Sequence, residues 1–195
     1  MSLLTIVRQM IERYGAIEAD FGNSTVKHSV YKRIRYLEIA RIAAQLEGDL
    51  AEIGARYGLT TALLAMAAER YDRRVLVVDS WQDHYKKDHQ EFIKRTRGWE
   101  GLIDVVHADS HSQEALEALS RPLSMALLDA DHSLAAVEQD LEAVKHARII
   151  VVDGIHDVQG ARSAWQHIAP DYGLTLTLPK LREGYIVTED VELSI

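Results

Sequence analysis

The feature that most constrains the fold of this chain is a strand-like run, a glycine turn and a helix-like run over residues 50–68. Gly54 and Gly58 bracket the turn, and because glycine adopts positive φ and lacks a Cβ, the backbone there can approach a ligand closely. Thr60 or Thr61 is placed to cap the helix, whose first N–H groups would point at whatever occupies the turn. The stretch predicts the first βα unit of a nucleotide-type α/β fold.

Four more short apolar runs follow, and polar side chains stand at the carboxyl end of each. The runs and their ends are 74–78 with Asp79, Ser80 and Trp81; 102–108 with Asp109 and Ser110; 125–128 with Asp129, Asp131 and His132; and 148–152 with Asp153, His156 and Asp157. The run 102–108 is interrupted by Asp104 and His107 and predicts a strand. The other three runs are continuously apolar after any leading arginine, which predicts strands buried on both faces of a sheet. Because the carboxyl ends of parallel strands meet in one crevice, we expect these side chains to lie close together. So many carboxylates would repel each other unless a cation or protonation relieves them.

Composition excludes several classes of protein. The chain has 195 residues, enough for one ordinary domain, and no cysteine, so neither a disulfide framework nor a thiolate metal site is available. A net charge of −8 disfavours nucleic acid as a partner. No apolar run is long enough to span a bilayer, and the N-terminus lacks a signal pattern, so a cytoplasmic location without membrane association is expected.

The glycine turn resembles motif I of the class I S-adenosylmethionine (SAM) methyltransferases. Glu52 stands two residues before Gly54, and the segment is most similar to O-methyltransferases that have the pattern E-I-G-x-x-x-G. SAM carries a sulfonium, an ammonium and no phosphate, so acidic residues around the turn suit its charges. A nicotinamide-dependent oxidoreductase is a less favoured alternative, because the turn lacks the middle glycine of the dinucleotide fingerprint.

The resemblance implies where the cofactor binds. Asp79, at the end of the second strand, would accept hydrogen bonds from both ribose hydroxyls. Asp109 matches the acid that binds the amino group of adenine in this class. The full predicted cofactor set is Glu52, Gly54, Tyr57, Gly58, Asp79, Ser80, Trp81, Asp109, Ser110 and Asp129.

A second resemblance concerns the run Asp129-Ala130-Asp131-His132-Ser133 and the apolar strand that ends at Asp153. Together they resemble a bacterial group that includes cephalosporin hydroxylase-like proteins and macrocin-type sugar O-methyltransferases. The similarity covers about residues 46–165. For the metal-dependent members of the group, it implies that Asp129 and Asp153 bind Mg²⁺ and that Asp131 is the base.

The sequence departs from that group at one position. Gly154 follows Asp153, where the group has a second adjacent acid. His156 and Asp157 are the candidate replacements, and Asp157 is preferred because a hard cation favours oxygen ligands. The sequence leaves open whether a divalent metal is used. Without one, Asp131, His132 or His156 would accept the proton of the acceptor, and a histidine has the better-matched pKa.

These observations predict an α/β, Rossmann-like domain with a mostly parallel seven-stranded sheet. Residues 1–47 would form an N-terminal helical segment packed on a SAM-binding domain of residues 48–195, in one structural domain overall. Residues 174–178 and 184–187 look like the closing antiparallel hairpin of class I methyltransferases. Residues 85–97 are compatible with a helix. Ser133 can cap a further helix, whose apolar face would consist of Leu134, Val137, Leu141 and Val144. The predicted activity is SAM-dependent O-methylation of a hydroxylated small molecule. A non-catalytic SAM-binding or scaffold protein is the other alternative, and a homodimer is left open.

Overall fold

A computed structural model gives the three-dimensional structure, which is described for residues 39–69, 71–82, 86–177 and 182–188. Most of the predicted N-terminal segment lies outside these residues. Of that segment, residues 39–43 are helical, and Ile39, Ile42 and Leu46 are buried in the core. The buried Arg73 donates from Nη1 to the carbonyl oxygen of Ala43 at 2.8 Å, which ties the end of this helix to the main sheet.

Seven strands form one sheet in the order β3-β2-β1-β4-β5-β7-β6. Their bounds are β1 Asp49–Ile53, β2 Val75–Val78, β3 Ile103–Val106, β4 Leu123–Leu128, β5 Ile149–Val152, β6 Leu174–Leu176 and β7 Gly184–Val187. The first five strands are parallel, and β7 is antiparallel to both β5 and β6. The predicted mostly parallel sheet with a C-terminal antiparallel hairpin is therefore confirmed.

Five α-helices connect the strands. They are α1 Leu59–Glu69, α2 Lys86–Arg95, α3 Gln113–Leu119, α4 Leu134–Val144 and α5 Gln159–His167, and a 3₁₀ turn follows at Ala169–Asp171. The alternating side chains of β1 show why both faces of the sheet need helices. Leu50 packs into a cluster with α1, whereas Ala51 and Ile53 pack into a second cluster with α3, α4 and α5. Every residue of β2, β4 and β5 is buried, as the continuous apolar runs predicted.

Two local predictions need correction. Neither Thr60 nor Thr61 caps α1, because the helix already begins at Leu59 and the hydroxyl of Thr61 donates instead to Glu52. Leu134 was predicted on the apolar face of α4, but it is 44% exposed. It occupies the first position of that helix, where the chain has just left the loop, while Val137 and Leu141 are buried as expected.

A helix predicted at residues 85–97 is observed as α2, which ends at Arg95. The Ser133 cap is confirmed, since its hydroxyl accepts a hydrogen bond from the backbone N–H of Ala136 at 3.3 Å. None of the helices in the described ranges is both long enough and apolar enough to cross a membrane.

Candidate active site

A cleft of about 800 Å³ opens at the carboxyl ends of the parallel strands, across the point between β1 and β4 where the strand order reverses. Open α/β sheets bind ligands at this position. Twelve predicted site residues line it: Glu52, Gly54, Tyr57, Asp79, Ser80, Trp81, Asp109, Ser110, Asp129, Asp131, His132 and Asp153. Gly58, His156 and Asp157 were predicted with them but do not line the cleft.

Gly54 allows two strand ends to approach each other. Its φ is +90°, and an ideal Cβ at this residue would lie 2.3 Å from the carbonyl oxygen of Asp129. No side chain fits there, so the turn after β1 can lie directly against the end of β4. Gly58 supports the same turn from behind, where a Cβ would lie 2.8 Å from the ring of Phe92. Both glycines therefore allow close packing, Gly54 against the end of β4 and Gly58 against Phe92 of α2.

Asp79 holds the loops after β1 and β2 together. Its Oδ2 accepts from the backbone N–H of Arg56 at 2.8 Å, and its Oδ1 accepts from the backbone N–H of Trp81 at 2.8 Å. The indole N–H of Trp81 donates back to the carbonyl oxygen of Arg56 at 2.8 Å. Arg56 and Trp81 both have positive φ, at 47° and 33°. The carboxylate is therefore fixed at the cleft rim by backbone groups rather than by an opposite charge.

An aromatic cluster lies behind this rim, and Trp81 is the member of it that lines the cleft. Trp81 is buried and stacks on His89 with ring centroids 4.4 Å apart. Its edge contacts His107 at 5.2 Å, and Phe92 lies 4.8 Å away. His107 Nε2 lies 2.9 Å from the carbonyl oxygen of Ser80. Flat apolar walls of this kind suit a purine or ribose face.

Glu52 is a buried acid at the base of the cleft. The hydroxyl of Thr61 donates to its Oε2. Burial raises the pKa of Glu52 to about 8, while the Thr61 hydrogen bond lowers it and the nearby Asp79 raises it. The carboxyl group is therefore protonated at neutral pH in the ligand-free protein, and a bound cation would favour its ionised form.

Next to Asp109 and Ser110 lies a pair of residues, His111 and Asp140, that the sequence reasoning missed. His111 Nε2 lies 3.0 Å from Oδ1 of Asp140, a buried carboxyl on α4, and the His111 backbone N–H donates to Asp109 at 2.9 Å. Burial raises the pKa of Asp140, and its bonds to Ser110 and His111 lower it. The polar residue within the apolar stripe of α4 was the sequence signal for this buried partner. The Asp109 side chain itself is 66% exposed.

A second cluster lies at the ends of β4 and β5. His132 Nε2 is 3.6 Å from Asp129 Oδ1 and 3.6 Å from Asp153 Oδ2. Among the described residues, these three form the group whose potential ligand atoms lie within 4.8 Å of one another. Burial lowers the pKa of His132, the Asp153 carboxylate raises it, and the Arg182 guanidinium lowers it. Asp131 is exposed beside the cluster and accepts from the backbone N–H of Ser133 at 2.9 Å.

Arg182 is the cleft residue that sequence reasoning missed most clearly. It precedes β7, far along the chain, yet its Nη2 and Nε lie 2.9 and 3.0 Å from Asp153 Oδ2. Asp157 forms an ion pair with the same guanidinium, and its Oδ2 lies 3.6 Å from Nε. The Asp157 side chain is 60% exposed. A single arginine before a short strand belongs to no recognisable sequence motif. Its contact with Asp153 arises only because β7 pairs with β5.

The implied Mg²⁺ does not fit this cluster well. One of the three donors is the imidazole nitrogen of His132, and Mg²⁺ strongly prefers oxygen ligands. The Asp153 oxygen closest to that imidazole already accepts a hydrogen bond from Arg182 Nε and forms an ion pair with its Nη2. Asp157, the predicted third ligand, lies outside the cluster. Metal binding at this cluster stays a prediction.

The fold and the cleft together define a class I methyltransferase. Residues 51–147, about half of the chain, match the family model described as "Methyltransferase domain". The chain therefore belongs to the class I SAM-dependent methyltransferases, and the nicotinamide-dependent alternative is set aside. No curated protein matches the chain significantly.

Solved structures of low sequence identity share the fold. The apo structure of CalS11, a TDP-rhamnose 3'-O-methyltransferase in calicheamicin biosynthesis, has 14% identity and a TM-score of 0.62, covering 92% of this chain and 93% of that one. The O-methyltransferase TomG from Streptomyces achromogenes in complex with SAM has 18% identity and a TM-score of 0.58, with 92% and 90% covered. An O-methyltransferase from Bacillus cereus in complex with SAH has 17% identity and a TM-score of 0.55, with the same coverage.

Proposed function

We propose that this protein transfers the methyl group of SAM to a hydroxyl oxygen of a small molecule. The observation that carries the proposal is the adjacency of two different polar clusters in one cleft. One, around Glu52 and Asp79, suits a cationic nucleoside, and the other, around His132 and Asp153, suits a proton and an acceptor. The O-methyltransferase activities named for the solved structures above support an oxygen acceptor.

For the cofactor half, we propose that Asp79 accepts hydrogen bonds from the ribose hydroxyls and that Trp81 provides a wall for the nucleoside. Glu52 would face the cationic methionine end across the Gly54 turn. Asp109 and Ser110 would lie at the adenine end, with His111 held by Asp140 as a further group there. This order follows the carboxyl ends of β1, β2 and β3 across the sheet.

For the chemical step, we propose an in-line displacement. A lone pair of the acceptor oxygen forms the new O–CH₃ bond as the S–CH₃ bond breaks, and the sulfur keeps the bonding pair, which leaves S-adenosylhomocysteine. The hydroxyl proton passes to a base. His132 is the favoured base because its imidazole lines the cleft and its lowered pKa keeps it neutral. Asp131 is the second candidate at the cleft, whereas His156 lies outside the lining residues.

The test is calorimetric titration with S-adenosylhomocysteine, with NAD as the control nucleotide. Binding of S-adenosylhomocysteine without NAD is the expected result. Transfer of labelled methyl from SAM to a panel of hydroxylated small molecules then tests the reaction, with an RNA sample as the comparison acceptor. Binding without transfer to any acceptor would favour a non-catalytic SAM-binding protein, and no binding would contradict the proposal.

A further inference from the structure

We infer that Arg182 supplies the fixed positive charge at the acceptor end of the cleft, in the place where a divalent cation would otherwise bridge Asp153 and the acceptor. The inference rests on the proposed function, because it assigns the charge that would meet the acceptor oxygen. This use of Arg182 would distinguish the protein from a methyltransferase that binds a metal ion at the same carboxylates.

The contacts of Arg182 are the first support. Two of its nitrogens hold the same oxygen of Asp153 at 2.9 and 3.0 Å, and that oxygen is also the one closest to His132. The Asp153 side chain is 3% exposed, so the pair is shielded from water on the carboxylate side. A metal ion that used this oxygen would have to displace a hydrogen-bonded guanidinium from a buried site, which is costly.

The residue after Asp153 is the second support. Gly154 has a φ of +78°, and an ideal Cβ there would lie 3.4 Å from the imidazole of His132. The backbone therefore presents the face of His132 at the position where a second adjacent carboxylate would stand. The guanidinium offsets one of the two carboxylate charges around the imidazole without a divalent ion.

The remaining hydrogen-bonding capacity of Arg182 is the third support. The contacts of Arg182 with the carboxylates of Asp153 and Asp157 use Nε and Nη2. Arg182 lines the cleft, so Nη1 can donate to an acceptor oxygen. A guanidinium stays charged at all working pH values, and it can stabilise negative charge that builds on that oxygen as its proton leaves.

The experiment compares cation binding by the wild-type protein and three variants after removal of metals with a chelator. Mn²⁺ is titrated by electron paramagnetic resonance and Mg²⁺ by calorimetry, each with and without S-adenosylhomocysteine. The variants are Arg182→Ser, which removes the charge, Arg182→Lys, which keeps it, and Arg97→Ser as the matched control. Arg97 is an exposed arginine outside the cleft lining.

We expect the wild type, Arg182→Lys and Arg97→Ser to show no Mn²⁺ binding at the cleft up to about 1 mM, the weak end of protein oxygen sites. Arg182→Ser should bind Mn²⁺ at least about tenfold more tightly, because Asp153 then loses the guanidinium that competes with the cation. S-adenosylhomocysteine affinity should stay within about twofold in all four proteins, and thermal melting confirms that each is folded.

Two results would overturn the inference. The first is tight Mn²⁺ binding by the wild type that is lost in a further variant, Asp129→Asn. The second is a folded Arg182→Ser variant with no gain in Mn²⁺ affinity. Failure of the proposed function is distinct, because it would appear as absence of S-adenosylhomocysteine binding whatever the cation results.

Discussion

The two halves of the cleft are built in different ways. In the half proposed to bind the cofactor, backbone groups make the main contacts. Gly54 lets two strand ends touch, and Asp79 is held by two backbone N–H groups. In the half proposed to bind the acceptor, side chains meet side chains, since Asp129 and His132 come from the loop after β4 and Arg182 comes from the loop before β7. A half that depends on backbone geometry tolerates few changes and keeps one ligand, whereas side-chain contacts can be exchanged to suit different acceptors.

The largest effect is expected from Gly54→Ala. A Cβ at this position would meet the Asp129 carbonyl at 2.3 Å, and the positive φ adds about 1–2 kcal/mol of strain. We expect loss of S-adenosylhomocysteine binding by more than about 100-fold, or failure to fold, measured by calorimetry and thermal melting.

Gly98→Ala is the matched control for that change. Gly98 has a similar φ of +99° but nothing within 4 Å of its ideal Cβ. It should therefore show the strain alone, about 1–2 kcal/mol of lost stability, with unchanged ligand affinity. Equal effects of the two substitutions would mean that close packing at Gly54 does not define the cofactor half.

Asp79→Ala and Asp131→Ala test the division between the halves. Removing Asp79 loses two loop hydrogen bonds and the proposed ribose acceptor, so affinity for S-adenosylhomocysteine should fall about 10–100-fold. Asp131→Ala should leave this affinity nearly unchanged and reduce methyl transfer. A similar loss of affinity in both variants would contradict the assignment of Asp131 to the acceptor half.

Glu52→Gln should change how stability depends on pH. The carboxyl group of Glu52 has an ordinary pKa of 4.5 and a raised pKa of about 8 in the folded protein, so the folded state holds the extra proton between these values. The free energy of unfolding of the wild type should therefore fall as pH rises through this window. The glutamine variant mimics the protonated form and lacks this loss.

Between pH 6 and 8, the free energy of unfolding of Glu52→Gln should rise relative to that of the wild type by on the order of 2 kcal/mol. Urea denaturation at several pH values measures it. Parallel pH profiles for the two proteins would show that Glu52 is already ionised in the free protein.

The smallest effect is expected from Gly154→Ala. The positive φ costs about 1–2 kcal/mol, but the new Cβ would make only ordinary contact with His132 at 3.4 Å. Thermal melting should show the strain, and S-adenosylhomocysteine affinity should stay within about twofold. A larger loss of affinity would indicate that the acceptor half and the cofactor half are coupled through the end of β5.

The sequence by itself determined the strands and the cleft. Leu76, Val77 and Val78 belong to a continuous apolar run, which only a strand covered on both faces can bury, and acids at the ends of such runs must meet in one crevice. The turn chemistry of Gly54 and the cap at Ser133 were also readable, because each acts within a few residues of its position. Local patterns therefore predicted the fold class and most of the predicted site residues that line the cleft.

Only the tertiary structure decided the partners of the buried charges. Thr61 donates to Glu52, His111 lies against Asp140, and Arg182 pairs with Asp153 across a separation of 29 residues. The last two pairs depend on how strands and helices from distant parts of the chain come together. An ion pair leaves no periodic signal in the sequence, because its geometry is fixed by sheet register and loop approach rather than by spacing along the chain.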